Sequence, residues 1–101
     1  MTLFAFYCRD GEAAPVLREK LLDRHLAHIE ANIDDYAVAG PLKKDGATIG
    51  SLLVIKATDV AEARAKFETD PYFTAGVWQS IQVSAFHAVA GDWVGGAVWK
   101  R

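Results

Sequence analysis

The chain has 101 residues, 51% of them hydrophobic and 24% charged, with Lys+Arg 11 against Asp+Glu 13. That length holds one hydrophobic core, not two, and a formal charge of −2 gives no electrostatic reason to expect nucleic acid or an anionic membrane as partner. The lone Cys8 excludes an internal disulfide and a cysteine-based metal site. No apolar run approaches the roughly 18 residues of a membrane span, and Arg9 and Asp10 come too early for a signal peptide, so the expectation is a small cytoplasmic protein.

Residues 2–8, rich in aromatics, predict a buried strand ended by Arg9-Asp10-Gly11. Residues 12–33 predict a helix, with Pro15 in a first turn where its missing N–H matters least. Leu22, Leu26, Ile29 and Ile33 recur at helical spacing, and Leu17 and Leu21 widen that face. Residues 36–39 predict a short second strand closed by Gly40-Pro41, followed by a turn over Lys43-Lys44-Asp45-Gly46. The apolar run at 48–57 predicts a third strand in the middle of a sheet. Asp59, with Glu62 three residues on, predicts the N-terminus of a second helix. Ile81, Val83 and Ala85 alternate with Gln82, Ser84 and Phe86 in a fourth strand over 79–88.

The resulting order, β-α-β-β-α-β, predicts an α+β ferredoxin-like fold with a four-stranded antiparallel sheet and both helices on one face. The other face, apolar on strands one and three, needs a cover, and a homodimer packing sheet against sheet is the simplest. Residues 1–90 are expected to form the domain. Residues 91–101, with Trp93 and Trp99, are expected to form a tail that packs on the body or on a partner subunit.

Residues 68–78, Glu-Thr-Asp-Pro-Tyr-Phe-Thr-Ala-Gly-Val-Trp, concentrate the chemistry. Asp70 stands where the second helical pattern stops, and a residue before proline is pushed out of the helical conformation. Asp70 therefore projects from a rigid corner among Tyr72, Phe73 and Trp78. It is either the cap of a structural turn or half of a proton-transfer pair. The fold gives it a partner: His25, midway along the first helix, packs on the same sheet face as the end of the second. A buried carboxylate beside an imidazole favours the charged ring and fixes its tautomer, an arrangement for a general base or acid. The bland alternative is a hydrogen bond that only clips two helices together.

The remaining candidates carry weaker signals. His28 lies three residues from His25, not the four of zinc-binding helices, and no third ligand is placed by the sequence, so neither a metal nor another cofactor is called for. Ser51 and Ser80 lack a nucleophile elbow. Cys8 in an apolar strand predicts inert packing. Gly40-Pro41 and Gly50-Ser51 offer small residues for a pocket lining or simply make turns. Arg18 and Arg24 would either meet an acidic substrate or form a solvated face.

His25-Leu26, Ala39-Gly40-Pro41-Leu42, Gly50-Ser51, Asp70-Pro71-Tyr72, Ala75-Gly76-Val77 and a strand ending near Phe86 together resemble the YciI-like (YCII-related) family, over roughly residues 2–90. The resemblance implies a dimeric α+β barrel and a His/Asp-centred site, carried over here to His25 and Asp70. It also implies lyase chemistry in some relatives, which remove chloride from a chlorinated hydroxyquinol-type ring. Many members carry an arginine three residues before the histidine; here that position is Leu22.

The expected function is thus a small lyase or isomerase without a cofactor. Asp70 would orient His25, and His25 would move a proton on a small cyclic or carbonyl-containing substrate. Tyr72, Phe73 and Trp78 would wall the pocket, with Gly40, Pro41, Ser51 and Arg18 as further substrate contacts. A non-catalytic ligand-binding module and a purely structural dimer are the competing readings.

Overall fold

A computed structural model describes residues 1–100. Strand β1 (Thr2–Asp10) leads to α1 (Ala14–Ala31) and a short 3-10 turn (Ile33–Asp35). Then follow β2 (Tyr36–Lys44), β3 (Ala47–Ala57), α2 (Val60–Phe67), the single helical turn α3 (Pro71–Thr74) and β4 (Trp78–Phe86). A two-residue pair, β5 (Ala90–Gly91) with β6 (Gly96–Ala97), lies in the tail. The main sheet is antiparallel with strand order β2-β3-β1-β4. This is the ferredoxin-like α+β plan, and β1 and β3 are its central strands.

Side-chain alternation sends Phe4, Phe6 and Cys8 from β1, and Leu53, Ile55 and Ala57 from β3, to the helix-covered face. They meet Ala14 and Leu21 of α1 and Ala63 and Phe67 of α2. Phe6 and Phe67 stack at 4.3 Å, and Phe67 also lies 5.4 Å from Trp78. Cys8 is fully buried here, and that burial, with the Asp70 charge nearby, pushes its thiol up to about 12. The thiol is therefore protonated at neutral pH and not a nucleophile. Native protein is expected to resist an aromatic disulfide reagent at pH 8 and to react on addition of denaturant; fast labelling of the folded chain would contradict this placement.

Three boundaries differ from the sequence reading, each for a local reason. Strand β2 does not close at Gly40-Pro41 but runs on to Lys44, with Pro41 paired to Ser51. Pro41 is tolerated because β2 is an edge strand and its missing N–H costs no ladder bond on the open side. The turn shrinks to Asp45-Gly46, both at positive φ (51° and 81°), the two-residue hairpin geometry that favours this pair. The second helical pattern breaks in two, α2 ending at Phe67 and α3 starting at Pro71. Asp59 caps α2 as expected, its Oδ1 accepting from the Glu62 N–H at 2.8 Å, while Glu62 reaches back to Thr58.

The buried stripe of α1 is also not the expected one. Ala14, Leu17, Leu21 and Ile29 face the core, whereas Leu22 and Leu26 remain 46% and 53% exposed. Two apolar rows run side by side along α1, about 100° apart around its axis, and the sheet takes only the first. The second row flanks a cleft.

On the opposite sheet face, residues 88–94 run beside the strands. With Leu3, Ala5, Leu52 and Val54 they bound an apolar hollow of about 480 Å³. Trp93 and Trp99 remain 84% and 70% exposed. Among the described residues no helix is long and apolar enough to cross a membrane.

Candidate functional site

The break between α2 and α3 builds the site. Asp70 adopts φ −65°, ψ 130°, the extended backbone that Pro71 imposes, and becomes the N-cap of α3. Its Oδ1 accepts two hydrogen bonds, from the Tyr72 backbone N–H at 2.8 Å and from His25 Nδ1 at 2.9 Å. The carboxylate is completely buried, and Oδ2 has no hydrogen-bond partner among the described residues. An ionised carboxylate only accepts, so Nδ1 carries the proton of this bond and Nε2 is the nitrogen left for chemistry. The Tyr72 ring lies parallel to the imidazole, 3.9 Å away at 3°, and fixes its plane. The His25 side chain keeps 16% exposure. The sequence reading's pairing of His25 with Asp70 is therefore present as a tight contact across 45 residues of chain.

Arg18, two helical turns before His25 on α1, sits on the same cleft. Its Nε and Nη2 grip Asp10 Oδ2 and Oδ1, both at 2.8 Å, and Nη2 also reaches the Gly50 carbonyl (3.1 Å) and Ser51 Oγ (2.9 Å). The guanidinium carbon is 5.2 Å from the centre of the Tyr72 ring. The Tyr72 hydroxyl in turn donates to the Arg18 carbonyl at 3.2 Å. Burial pushes the Tyr72 phenol up, against the opposing Arg18 charge. It is therefore a protonated donor at neutral pH, with its proton committed to α1.

The cleft has a volume of about 290 Å³. Arg18, His25, Ser51 and Tyr72 supply its polar side, and Leu22, Leu26, Ile29, Ala39, Gly40, Pro41 and Leu53 supply the rest. Of the expected residues, His25, Asp70, Tyr72, Gly40, Pro41, Ser51 and Arg18 thus converge. Phe73 and Trp78 do not. Successive residues of a helical turn diverge by about 100°, so Tyr72 faces α1 while Phe73 turns edge-on to Phe67 at 5.4 Å. Trp78 is in the core, 7% exposed, its indole N–H without a partner among the described residues. Trp78 packs edge-on to Tyr72 with ring centres 6.1 Å apart, and neither Phe73 nor Trp78 lines the cleft.

The sequence reading did not include Asp10, Leu22 or Leu26 in the site. Asp10 read as a strand end, although a carboxylate eight residues before an arginine at a strand-to-helix turn is a usable signal. Arg24 is exposed and does not line the cleft, so among the described residues Arg18 alone brings a guanidinium there. His28 lies in a second hollow of about 280 Å³, near Asn32 and Thr69 at 3.4 Å each. The nearby ammonium of Lys66 is already held by Asp35 (3.1 Å) and Glu62 (3.5 Å). Among the described residues no three His, Cys, Asp or Glu side chains converge as a metal site.

A model of the YCII-related domain family matches residues 2–87. Among solved structures, the chain is similar to 5-chloro-2-hydroxyhydroquinone dehydrochlorinase from Burkholderia phenoliruptrix, solved in complex with 2,5-dihydroxybenzoquinone. The TM-score is 0.75 at 26% sequence identity, covering 89% of this chain and 96% of that one. No curated protein sequence matches.

Proposed function

The chain belongs to the YCII-related domain family, and on that premise we propose that it is a small enzyme of lyase or isomerase type. In this reading His25 moves a proton on a small cyclic or carbonyl-containing compound held in the α1–β2 cleft. One observation carries it: a fully buried Asp70 holds His25 Nδ1 at 2.9 Å while the imidazole borders the cleft. A clip between helices would not need the ring on an open cleft. The similarity to a dehydrochlorinase supports an elimination in particular. His25 Nε2 would take a proton from carbon or oxygen, the electron pair left behind would form the new double bond, and chloride would leave with its own bonding pair. The compound in that neighbour's name is the first substrate to assay, with chloride release as the readout.

The pair itself is tested by ring-nitrogen NMR. Wild type is expected to hold a single His25 tautomer, protonated at Nδ1, and Asp70→Asn to lose that preference. An unchanged tautomer in the variant would remove Asp70 from the mechanism.

We also assign the open sheet face to a second copy of this chain. Tyr7 (40% exposed) and Phe86 (49%) lie on it, apolar side chains that a second sheet packed against this face would take out of water. Analytical ultracentrifugation is expected to give twice the chain mass at micromolar concentration; a monomer there would overturn this assignment.

A further inference from the structure

We propose, resting on the cleft reading above, that Arg18 Nη1 receives the substrate oxygen on which negative charge develops, and that the substrate is a neutral ring bearing a hydroxyl or conjugated carbonyl. Arginine has five N–H donors in a fixed fork. In Arg18, Nε and Nη2 are engaged by Asp10, Gly50 and Ser51. The two N–H groups of Nη1 make no hydrogen bond among the described residues, although the side chain is only 16% exposed and borders the cleft. The fork is therefore held rigid from one side and left with a pair of donors on the other.

Tyr72 lies against both working groups. His25 stacks on its ring at 3.9 Å, and the Arg18 guanidinium carbon is 5.2 Å from the same ring centre. Both groups line the same cleft of about 290 Å³, which has room for a single six-membered ring. Leu22, Leu26 and Pro41 supply apolar contact for its hydrocarbon part.

Charge decides the substrate class. Arg18 and Asp10 cancel, and the buried Asp70 adds one negative charge, so with a neutral imidazole the site holds no surplus positive charge. A carboxylate or phosphate would lose its hydration there without compensation. A neutral phenol or enolisable ketone pays no such penalty on entry. When its O–H or C–H bond breaks, the proton forms a bond to His25 Nε2 and the electron pair spreads onto the oxygen at Nη1. Two opposite charges then appear together, the imidazolium facing Asp70 and the oxyanion facing Arg18, with no net change in the cleft.

The test uses para-nitrophenol, whose phenolate is read directly by absorbance, with the His25 ring resonances followed in parallel. In wild type the bound probe is expected to show the phenolate band at a pH where the free probe is still neutral, and benzoate is expected to compete poorly. Arg18→Lys keeps a cation for Asp10 but removes the fork; Arg18→Gln removes the cation as well. Both are expected to lower the bound phenolate-to-phenol ratio by about tenfold or more, and thermal melting checks their folding. If Arg18→Gln melts early, Arg18→Lys carries the comparison alone. A folded Arg18→Lys with the wild-type ratio overturns the role of Arg18 and leaves the cleft reading standing. Benzoate binding more tightly than the phenol overturns the neutral substrate class. Failure of the probe to move the His25 resonances of wild type overturns the cleft reading and this proposal with it.

Discussion

His25→Asn is expected to lower turnover by about 10²–10⁴-fold, the usual contribution of a positioned acid–base group, with little loss of thermal stability. The asparagine side-chain amide nitrogen falls where Nδ1 stands and can still donate to Asp70 Oδ1, so the buried carboxylate keeps the hydrogen bond that His25 Nδ1 now makes at 2.9 Å. What it cannot do is accept a proton. His25→Ala removes both properties. It leaves Oδ1 with the Tyr72 N–H alone, beside an Oδ2 that already has no partner among the described residues. Removing a partner from a buried polar group costs about 1–3 kcal/mol, and the alanine variant also loses the stacking of His25 on Tyr72. The two substitutions therefore separate chemistry from structure. A catalytic His25 gives two inactive proteins, of which only the alanine form melts early. A clip between helices gives one stable variant that still works. Chloride release, or exchange of a substrate C–H for deuterium, reads the chemistry, and circular dichroism reads the melt. Wild-type turnover in a folded His25→Asn would end the catalytic reading.

How much of this was legible beforehand depended on how far each residue's role reaches through space. The Asp70 corner was legible because its cause is local: Pro71 forbids helical backbone at the preceding residue, and the observed φ and ψ follow. Its partner followed from element order alone, since both helices must cover the same sheet face. The inward face of α1 was not legible. Leu17–Leu21 and Leu22–Leu26 are equally good apolar rows, and only the packed sheet chooses between them. The row it rejects became the apolar flank of the cleft, so the misread helix face and the missed site residues are one error. The strand through Pro41 failed for a similar reason. Proline ends a central strand but can continue an edge strand, and which strand lies at the edge is set by long-range order. Phe73 and Trp78 were placed by proximity in sequence, whereas the α3 turn separates neighbours by direction. Arg18 lay in between: its type and spacing were visible, but the Asp10 carboxylate that converts it from a free cation into a neutral, rigid fork comes from the strand end packed beside it.

The second large effect is expected at Gly50, in the Gly-Ser phrase at the start of the buried stretch of β3. Gly50 pairs with Arg9 on β1 and with Leu42 on β2. A Cβ built there would overlap the carbonyl oxygen of Cys8 and lie 3.2 Å from its carbonyl carbon. The obstacle is backbone in the centre of the sheet, and no side-chain rotation relieves it. Gly50→Ala is expected to cost the upper end of the about 1–3 kcal/mol typical of overpacking, which lowers the melting temperature by roughly 4–8 °C for each kcal/mol in a domain of this size. The damage should also reach the site. The Gly50 carbonyl accepts from Arg18 Nη2 at 3.1 Å, and the next residue supplies the Ser51 hydroxyl at 2.9 Å. Strands β1 and β3 forced apart would loosen the guanidinium together with its Asp10 partner on β1. Ligand affinity measured well below the new melting temperature should therefore fall as well, which a purely global loss of stability would not produce. Gly40→Ala is the matched control. Gly40 also borders the cleft, but a Cβ there meets nothing within 4 Å, so its melt should stay with wild type. If Gly50→Ala melted with the control, the close approach of β1 and β3 that holds Arg18 in place would be wrong.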